Sequence, residues 1–533
     1  MFEHRGVALS SIRSHSIPMT KTETQSADEL ISYMSNPTEE EKAMVRKAYD
    51  FAKHAHRDHK RMSGEPYFNH LYATAKALAE IDMGARTISA GLLHDSIEDV
   101  GVTPEQIRDE FGPEVLFLVE GVTKLGELKY RGAGRHIESL RRLFVATSQD
   151  IRVLLIKLMD RRHNMHTLEH VKPEKRLRIA TETLSIYAPI ADRLGMGRLK
   201  SELEDLSFKY VYPKEYDRIE QIMSESKLAN EPKLEKVRNS LKRALGEHGV
   251  KNFRTESRVK GLYSLYRKLD RKGGDLDKIY DLQAIRVILG NVEDCYRALG
   301  VAHTLWHPLP GKIKDYIAFE KPNGYRSIHS TVMTPEAGPV ELQFRTEEMH
   351  REAQYGIASH LAYKEEGSSP DRGQQKRERL WYRHLIPSLF NTNSQGRSEQ
   401  RKAPKWISEL AEAHTAETLT ERDTFMQEIQ DDFFSHRIFV FTPKGDVIDL
   451  PIDSTPIDFA YAVHSEIGDR TARAKVNGKI APLNAQLKNG DIVEIETKKN
   501  AHPTKKWCEY VRTTMARKHI HQALLRQQRE GKH

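Results

Sequence analysis

Only two cysteines, Cys295 and Cys508, occur in 533 residues. That is too few for a disulfide framework or an all-cysteine zinc site, so any metal must be held by histidines and carboxylates. Long apolar runs are also missing. Stretches such as Val115 to Val119 and Ile438 to Phe441 fall far short of the ~20 residues that span a bilayer, so no membrane contact is expected. The Ser-rich start, Met1 to Gln25, lacks the apolar segment of a secretory signal and reads as a disordered tail, with a transit peptide as the alternative. No Gly-Lys-Thr or Gly-Lys-Ser loop is present, so a Walker-type cradle is excluded and phosphates would fall to side chains. A reducing, cytoplasmic setting is the expectation.

What the sequence does have is charge. Lys and Arg number 84 against 76 Asp and Glu, a formal net of +8, which favours anionic ligands such as nucleotides or RNA, although solubility alone also accounts for it. With 38% hydrophobic and 30% charged residues the chain reads as globular, and its length calls for three or four domains.

The texture changes along the chain. After a tail, 1–38, residues 39–213 carry apolar positions at helical spacing, opened by Asn36-Pro37-Thr38-Glu39 and including a periodic helix from Leu154 to Leu168. A helical connector, 214–251, leads to an α/β segment, 252–364, with strand-like runs at Ala284 to Leu289 and Ser330 to Met333. Residues 365–433 read as a linker with a helical segment. A small β-rich module, 434–498, opens with Ile438 to Phe441 and Val447 to Leu450, and 499–533 read as a basic helical end.

Two constellations carry chemistry. In the helical domain, Leu92-Leu93-His94-Asp95-Ser96-Ile97-Glu98-Asp99 sets His94 with Glu98, and Asp95 with Asp99, four apart and so on one helical face. A lone His-Asp pair is more often capping and surface ion pairing. Beside apolar neighbours, however, and with His70 and Asp160 elsewhere in the domain, it points to a cation held by nitrogen and oxygen. Mn²⁺, Zn²⁺ and Fe²⁺ all fit such a set, with Glu98 and Asp99 suited to orient a metal-bound water. In the α/β domain, a cation-rich stretch from Lys251 to Lys278 precedes Asp281 and Arg286, and Glu341, Gln343 and Arg345 alternate along a later strand. Two carboxylates facing cations describe a Mg²⁺-assisted polyphosphate site.

As a set, His70, His94-Asp95, Glu98-Asp99 and Asp160, flanked by Arg61, Ser63-Gly-Glu-Pro-Tyr67 and Asn164-Met165-His166-Thr167, resemble the HD hydrolase domain of the RelA/SpoT homologues. The block from Lys312 to His329, with Glu341-Leu-Gln343 and Gly356 to Lys364, is similar to the synthetase domain of the same family. Thr442-Pro-Lys-Gly445, Thr455 to Gly468 and Leu487 to Glu494 resemble a TGS domain.

The resemblance implies an all-helical HD domain, a nucleotidyltransferase-like mixed sheet and a ubiquitin-like β-grasp. It also implies two reactions: hydrolysis of the 3′-pyrophosphate of ppGpp or pppGpp, and pyrophosphate transfer from ATP to GDP or GTP, the chemistry of the stringent response. In the first, His70, His94, Asp95 and Asp160 would be metal ligands, Glu98 and Asp99 catalytic, and Arg61, Ser63, Asn164 and Thr167 substrate-binding. In the second, Arg258 and Arg286 would sandwich adenine, while Lys260, Ser264 and Lys268 hold ATP phosphates. Asp281 would carry Mg²⁺ and Glu341 would activate the 3′-hydroxyl. Tyr325 would stack on guanine, Lys314, Lys321, Asn323 and His329 would bind phosphates or ribose, and Gln343 would support the site. The expected cofactors are Mn²⁺ in the first site and Mg²⁺ in the second. His464 would contact tRNA, making tRNA and the ribosome expected partners.

The sequence departs from the family pattern at Met62, Arg162, His166, Gly261, Lys312 and Arg326. Relatives continue into helical, zinc-finger-like and ACT domains, which leaves a truncated and a naturally short form both open. Three other readings also stand: a hydrolase whose synthetase is held off, a nucleotide- or tRNA-binding regulator with vestigial catalysis, and an HD phosphohydrolase acting on other nucleotides.

Overall fold

The computed structural model of the chain describes residues 25–126, 150–276, 279, 282–321, 323–359, 361, 437–443, 447–488, 490–498 and 500–530. Asp281 and the expected linker 365–433 lie outside the described residues.

Within the stretch read as a tail, α1 (Ala27–Ser32) is capped by the Ser26 side chain and buries Leu30 and Ile31 in the helical core. α2 (Glu39–Ala55) begins where the sequence predicts. Thr38 and Glu41 exchange side-chain-to-backbone bonds in a capping box, and Val45, Ala48, Tyr49 and Ala52 fall on its buried face. The domain continues through α3 (Phe68–Glu80), α4 (Ala85–Leu93), α5 (Ser96–Val100), α6 (Pro104–Phe111) and α7 (Pro113–Gly126). It is completed by α8 (Ile151–His166), α9 (Pro173–Glu182), α10 (Ala188–Arg193) and α11 (Gly197–Val211). α3, α4 and α8 pack against one another, which brings their polar residues to one place. α12 (Pro213–Glu247), a helix of 35 residues with Pro232 inside it, fills the expected connector.

The α/β domain comprises β1 (Arg254–Val259), α13 (Leu262–Arg271), β2 (Gln283–Leu289), α14 (Val292–Leu305), β3 (Pro308–Asp315), β4 (Ile328–Thr334), β5 (Gly338–Thr346) and α15 (Glu347–Tyr355). Its sheet runs β1-β2-β5-β4-β3. β2 and β5 are parallel and the other pairs antiparallel, the mixed sheet that was expected. The register aligns Glu256, Arg286, Gln343, His329 and Lys314 across all five strands. Directly paired residues share a face, so this polar row runs across one side of the sheet.

The third module pairs β6 (Arg437–Phe441) with β7 (Val447–Pro451). α16 (Pro456–Val463) and α17 (Ser465–Asp469) follow, and β8 (Thr471–Val476), β9 (Lys479–Ala481) and β10 (Val493–Thr497) form a second small sheet. A parallel bridge from Phe441 to Ile492 joins the two. The basic end forms α18 (Trp507–Tyr510) and α19 (Thr514–Glu530). Asp458 of α16 anchors it: this fully buried carboxylate accepts the backbone N–H groups of Thr455, Arg512 and Thr513.

The helical and α/β domains meet through backbone. Gly356 (φ 56°, ψ −131°) lets the chain after α15 pass against the Leu194 carbonyl, which accepts Ile357 N–H at 2.9 Å. Ile357 and Ala358 then pack in the helical core. A Cβ at 356 would collide with the Leu194 and Gly195 backbone. Gly356→Ala is therefore expected to destabilise the protein by ~2 kcal/mol or more in a denaturant melt. Gly246→Ala, in α12 with open space around its Cα, is expected to gain ~0.5–1 kcal/mol.

Candidate metal centre and nucleotide-binding face

α4 ends at Leu93 and α5 begins at Ser96, which corrects the reading of His94 through Asp99 as one helical face. His94 Nδ1 donates to the Gly91 carbonyl at 2.8 Å, spending a last-turn acceptor of α4 on a side chain. The break turns His94 inward, to 1% exposure, while Glu98 and Asp99 stay exposed on α5.

Three helical neighbourhoods converge here: His70 from α3, His94 and Asp95 from the break, and Asp160 from α8. His70 Nε2 lies 3.5 Å from Asp95 Oδ2 and 3.3 Å from Asp160 Oδ1. His94 Nε2 lies 3.1 Å from Asp95 Oδ2 and 4.0 Å from Asp160 Oδ1. The ligand atoms of His70, His94 and Asp95 all fall within 4.8 Å of one another. His94 Nε2 is buried and makes no hydrogen bond. An orphaned buried nitrogen among carboxylate oxygens fits a divalent cation of the first transition row.

The electrostatics agree. Burial opposes protonation of His94, yet Asp95 and Asp160 outweigh it and push the imidazole up to about 9. Burial would raise both aspartates, but His94 and His70 hold Asp95 well below the carboxylate range. Lys157, together with the same imidazoles, does so for Asp160.

Each ligand is held from behind. Lys157 Nζ donates to Asp160 Oδ2 at 2.8 Å and Asn164 Nδ2 donates to Asp160 Oδ1. The Tyr67 hydroxyl donates to Asp95 Oδ2 at 2.9 Å and also neighbours Asp99. His163 faces His70 and Arg61, and burial, followed by these two neighbours, pushes its imidazole down to about 3. Of the expected substrate residues, Arg61 and Asn164 join this set directly. Ser63 and Thr167 use their hydroxyls locally, Ser63 accepting Glu65 N–H and Thr167 donating to the His163 carbonyl. Lys157 and His163 were missed as site residues. Their three-residue offsets from Asp160 on α8 were the available signal. Arg162 and His166, two departures from the family pattern, both bind Glu202 of α11, at 2.9 and 2.6 Å.

On the sheet, His329 Nδ1 donates to Glu341 Oε1 at 2.9 Å, since a carboxylate only accepts. Its Nε2 therefore accepts from the Tyr325 hydroxyl at 2.8 Å. Gln343 Nε2 lies 3.4 Å from Glu341 Oε2. Lys321 sits over the rings of both Tyr316 and Tyr325, 4.5 and 4.8 Å from their centroids. Burial pushes its ammonium down to about 8. One face of the tyrosine expected to stack on guanine is thus covered by Lys321. Asn323 Nδ2 donates to the Asp192 carbonyl at 3.2 Å. Arg286 binds Glu256 at 3.1 Å, and Arg258 is exposed on the neighbouring strand. Lys314 pairs with His329 in register.

Lys260 closes β1 toward β2 through its backbone. Ser264 and Lys268, four apart on α13, share one face. Ser264 Oγ donates to Glu204 of α11 at 3.3 Å, and Asp205 Oδ1 accepts Tyr263 N–H at 3.0 Å. Gly261 permits this approach, because a Cβ there would meet Ser201 and Asp205. Arg326, another departure, pairs with Glu352 at 2.8 Å. Arg345, named in the sequence for its alternation but given no role there, is 2% exposed, next to Arg286, with its Nε unpaired. Its alternation with Glu341 and Gln343 was the signal. His464 is exposed, and its Nδ1 caps α17 by accepting Glu466 N–H.

Fold and site together define a metal-centre helical domain fused to a cation-rich mixed-sheet domain and a small β module. Residues 48–197 match the HD domain family, 257–368 the region found in RelA/SpoT proteins, and 438–497 the TGS domain. The chain is 41% identical over 504 residues to a guanosine-3′,5′-bis(diphosphate) 3′-pyrophosphohydrolase of Aquifex aeolicus, covering 94% of this chain and 67% of that relative. It is also 41% identical over 491 residues to a GTP pyrophosphokinase of Myxococcus xanthus, covering 91% of this chain and 61% of that relative. The chain belongs to the RelA/SpoT family and spans 61% to 67% of the length of these two relatives. Its HD domain implies a divalent metal. Among the described residues no helix is long and apolar enough to cross a membrane.

Lys157→Met would leave buried Asp160 without its ammonium. Metal-free protein is expected to lose ~3 kcal/mol in thermal unfolding, and added Mn²⁺ to restore part of the loss by neutralising the same carboxylate.

Proposed function

We propose that this chain is a bifunctional, cytoplasmic enzyme of guanosine tetra- and pentaphosphate. One domain would hydrolyse the 3′-pyrophosphate to leave GDP or GTP, and the other would transfer pyrophosphate from ATP to the 3′-hydroxyl of GDP or GTP. The observation that carries the first activity is the His70, His94, Asp95 and Asp160 cluster with its orphaned His94 Nε2. The relatives named for each activity support the pair.

In the hydrolase, those four residues would hold Mn²⁺, which supplies a coordinated water of lowered pKa. Asp99, exposed beside the Tyr67 hydroxyl, would take the proton of the attacking water, with Glu98 alongside on the same short helix. Arg61 would reach the guanosine side of the substrate, with Ser63, Asn164 and Thr167 completing the pocket.

In the synthetase, Glu341 would accept the proton of the 3′-hydroxyl. Its bond from His329, itself bonded by Tyr325, supports that role by fixing the carboxylate beside the expected guanine platform. Asp281 and Glu341 would hold Mg²⁺, Arg258 and Arg286 adenine, and Lys260, Ser264 and Lys268 the ATP phosphates. Lys314, Lys321, Asn323 and Gln343 would serve the acceptor. The exposed His464 on a TGS domain supports tRNA, and through it the ribosome, as partners.

A second reading, a hydrolase with its synthetase held off, is favoured by one observation. Glu204 and Asp205 of the hydrolase domain engage Ser264 and the first turn of α13, where ATP phosphates would bind.

Metal-stripped protein resupplied with Mn²⁺ and given ppGpp is expected to release GDP and pyrophosphate. Asp99→Ala should lower that rate ~10²–10⁴-fold while leaving ATP-dependent synthesis. Glu341→Ala should do the reverse. Loss of neither activity in either variant would sink the bifunctional reading.

A further inference from the structure

Behind the metal cluster lies a connected set of hydrogen bonds that starts at one guanidinium. Arg61 Nη1 lies 3.0 Å from His163 Nδ1, and Arg61 Nη2 donates to Asn164 Oδ1. Arginine has five donors, no acceptor and no accessible deprotonation. His163 Nδ1 must therefore be the acceptor and carry no proton. The same atom lies 2.9 Å from His70 Nδ1. Two bare nitrogens at that distance would repel, so His70 carries its proton on Nδ1. Its Nε2 is thereby the edge turned to Asp95 and Asp160, at 3.5 and 3.3 Å, and the edge left for a metal.

The amide follows the same logic. Because Arg61 donates to Asn164 Oδ1, the Nδ2 group of Asn164 must point the other way, to Asp160 Oδ1. Arg61 thus settles the tautomer of one ligand through His163 and the hydrogen bonding of another through Asn164. Tyr67, over whose ring the guanidinium lies 5.9 Å from the centroid, bonds a third ligand, Asp95.

We propose that Arg61 is a positioning residue of the metal centre, acting through His163 and Asn164, in addition to any contact it makes with substrate. This rests on the reading of the helical domain as a metal-dependent hydrolase. Outer partners of this kind set ligand orientation and basicity and are worth ~10–100-fold in metal affinity.

The test uses the full chain, stripped of metal, in four forms: wild type, Arg61→Met, His163→Leu and His163→Asn. The asparagine keeps an acceptor oxygen near the position of Nδ1. Mn²⁺ affinity is read by calorimetry, the geometry of bound Co²⁺ by its visible absorption, and folding by metal-free melting curves. Arg61→Met and His163→Leu are expected to bind Mn²⁺ ~10–100-fold more weakly and to shift the Co²⁺ spectrum, and His163→Asn to recover most of both. Wild-type affinity and an unaltered spectrum in folded Arg61→Met would overturn the proposal. So would equal losses in His163→Asn and His163→Leu, since they would mark a merely structural histidine. Should His163→Leu fail to fold, Arg61→Met and His163→Asn still decide. Absence of metal uptake by the wild type would instead overturn the hydrolase reading, and the proposal with it.

Discussion

Keeping two aspartates ionised inside an apolar helical core is the constraint around which the first domain is organised. A buried carboxylate without partners costs several kcal/mol, and Asp160 is 5% exposed among Leu158, Met159 and neighbouring core residues. The chain meets that cost with Lys157, Asn164 and two imidazoles rather than with solvent. Those partners oblige α3, α4 and α8 to pack where they do. The break between α4 and α5 falls at His94, whose ring bonds the Gly91 carbonyl. The bend lets Asp95 stay with the cluster and Asp99 stand at its exposed edge.

The sheet domain solves a different problem, an excess of cations awaiting anions. Arg258, Arg286, Arg345, Lys314 and Lys321 lie near one another. Burial and like charge lower the proton affinity of Arg286, Arg345 and Lys321. Such a row is tolerable when acids or ligand phosphates are at hand. Among the described residues Glu256 and Glu341 supply part of that charge, and nucleotide would supply the rest.

α11 links the two problems. Its Glu202 binds Arg162 and His166 on the metal-bearing α8, and its Glu204 and Asp205 bind α13 of the synthetase domain. Under the proposed function, freeing Ser264 for phosphate would break a bond to a helix that also contacts the metal-bearing domain. The two departures at 162 and 166 both bond Glu202, which ties that face of α8 to α11.

Much of this was legible in the sequence. Helical spacing after Thr38, the helix start at Asn36 to Glu39, the strand runs around Arg286 and Glu341, and the His-Asp and Glu-Leu-Gln patterns depend on nearest neighbours along the chain, where residue type and spacing dictate local structure. Other features arise from packing and side-chain bonds that spacing does not show. Helix 27–32 was hidden because six residues carry too little periodicity, and its place is set by Leu30 and Ile31 finding the core. The break at His94 depends on a ring bonding a carbonyl three residues back, which spacing alone reads as continuous helix. His163 became a site residue because α3 and α8 meet there and set it against His70, whereas Lys157 reaches Asp160 along α8 itself. The sequence by itself determined which side chains could bind metal and phosphate. The tertiary structure decided which atoms of those side chains face inward, because tautomer, amide orientation and ion pairing depend on partners that are far apart in the chain.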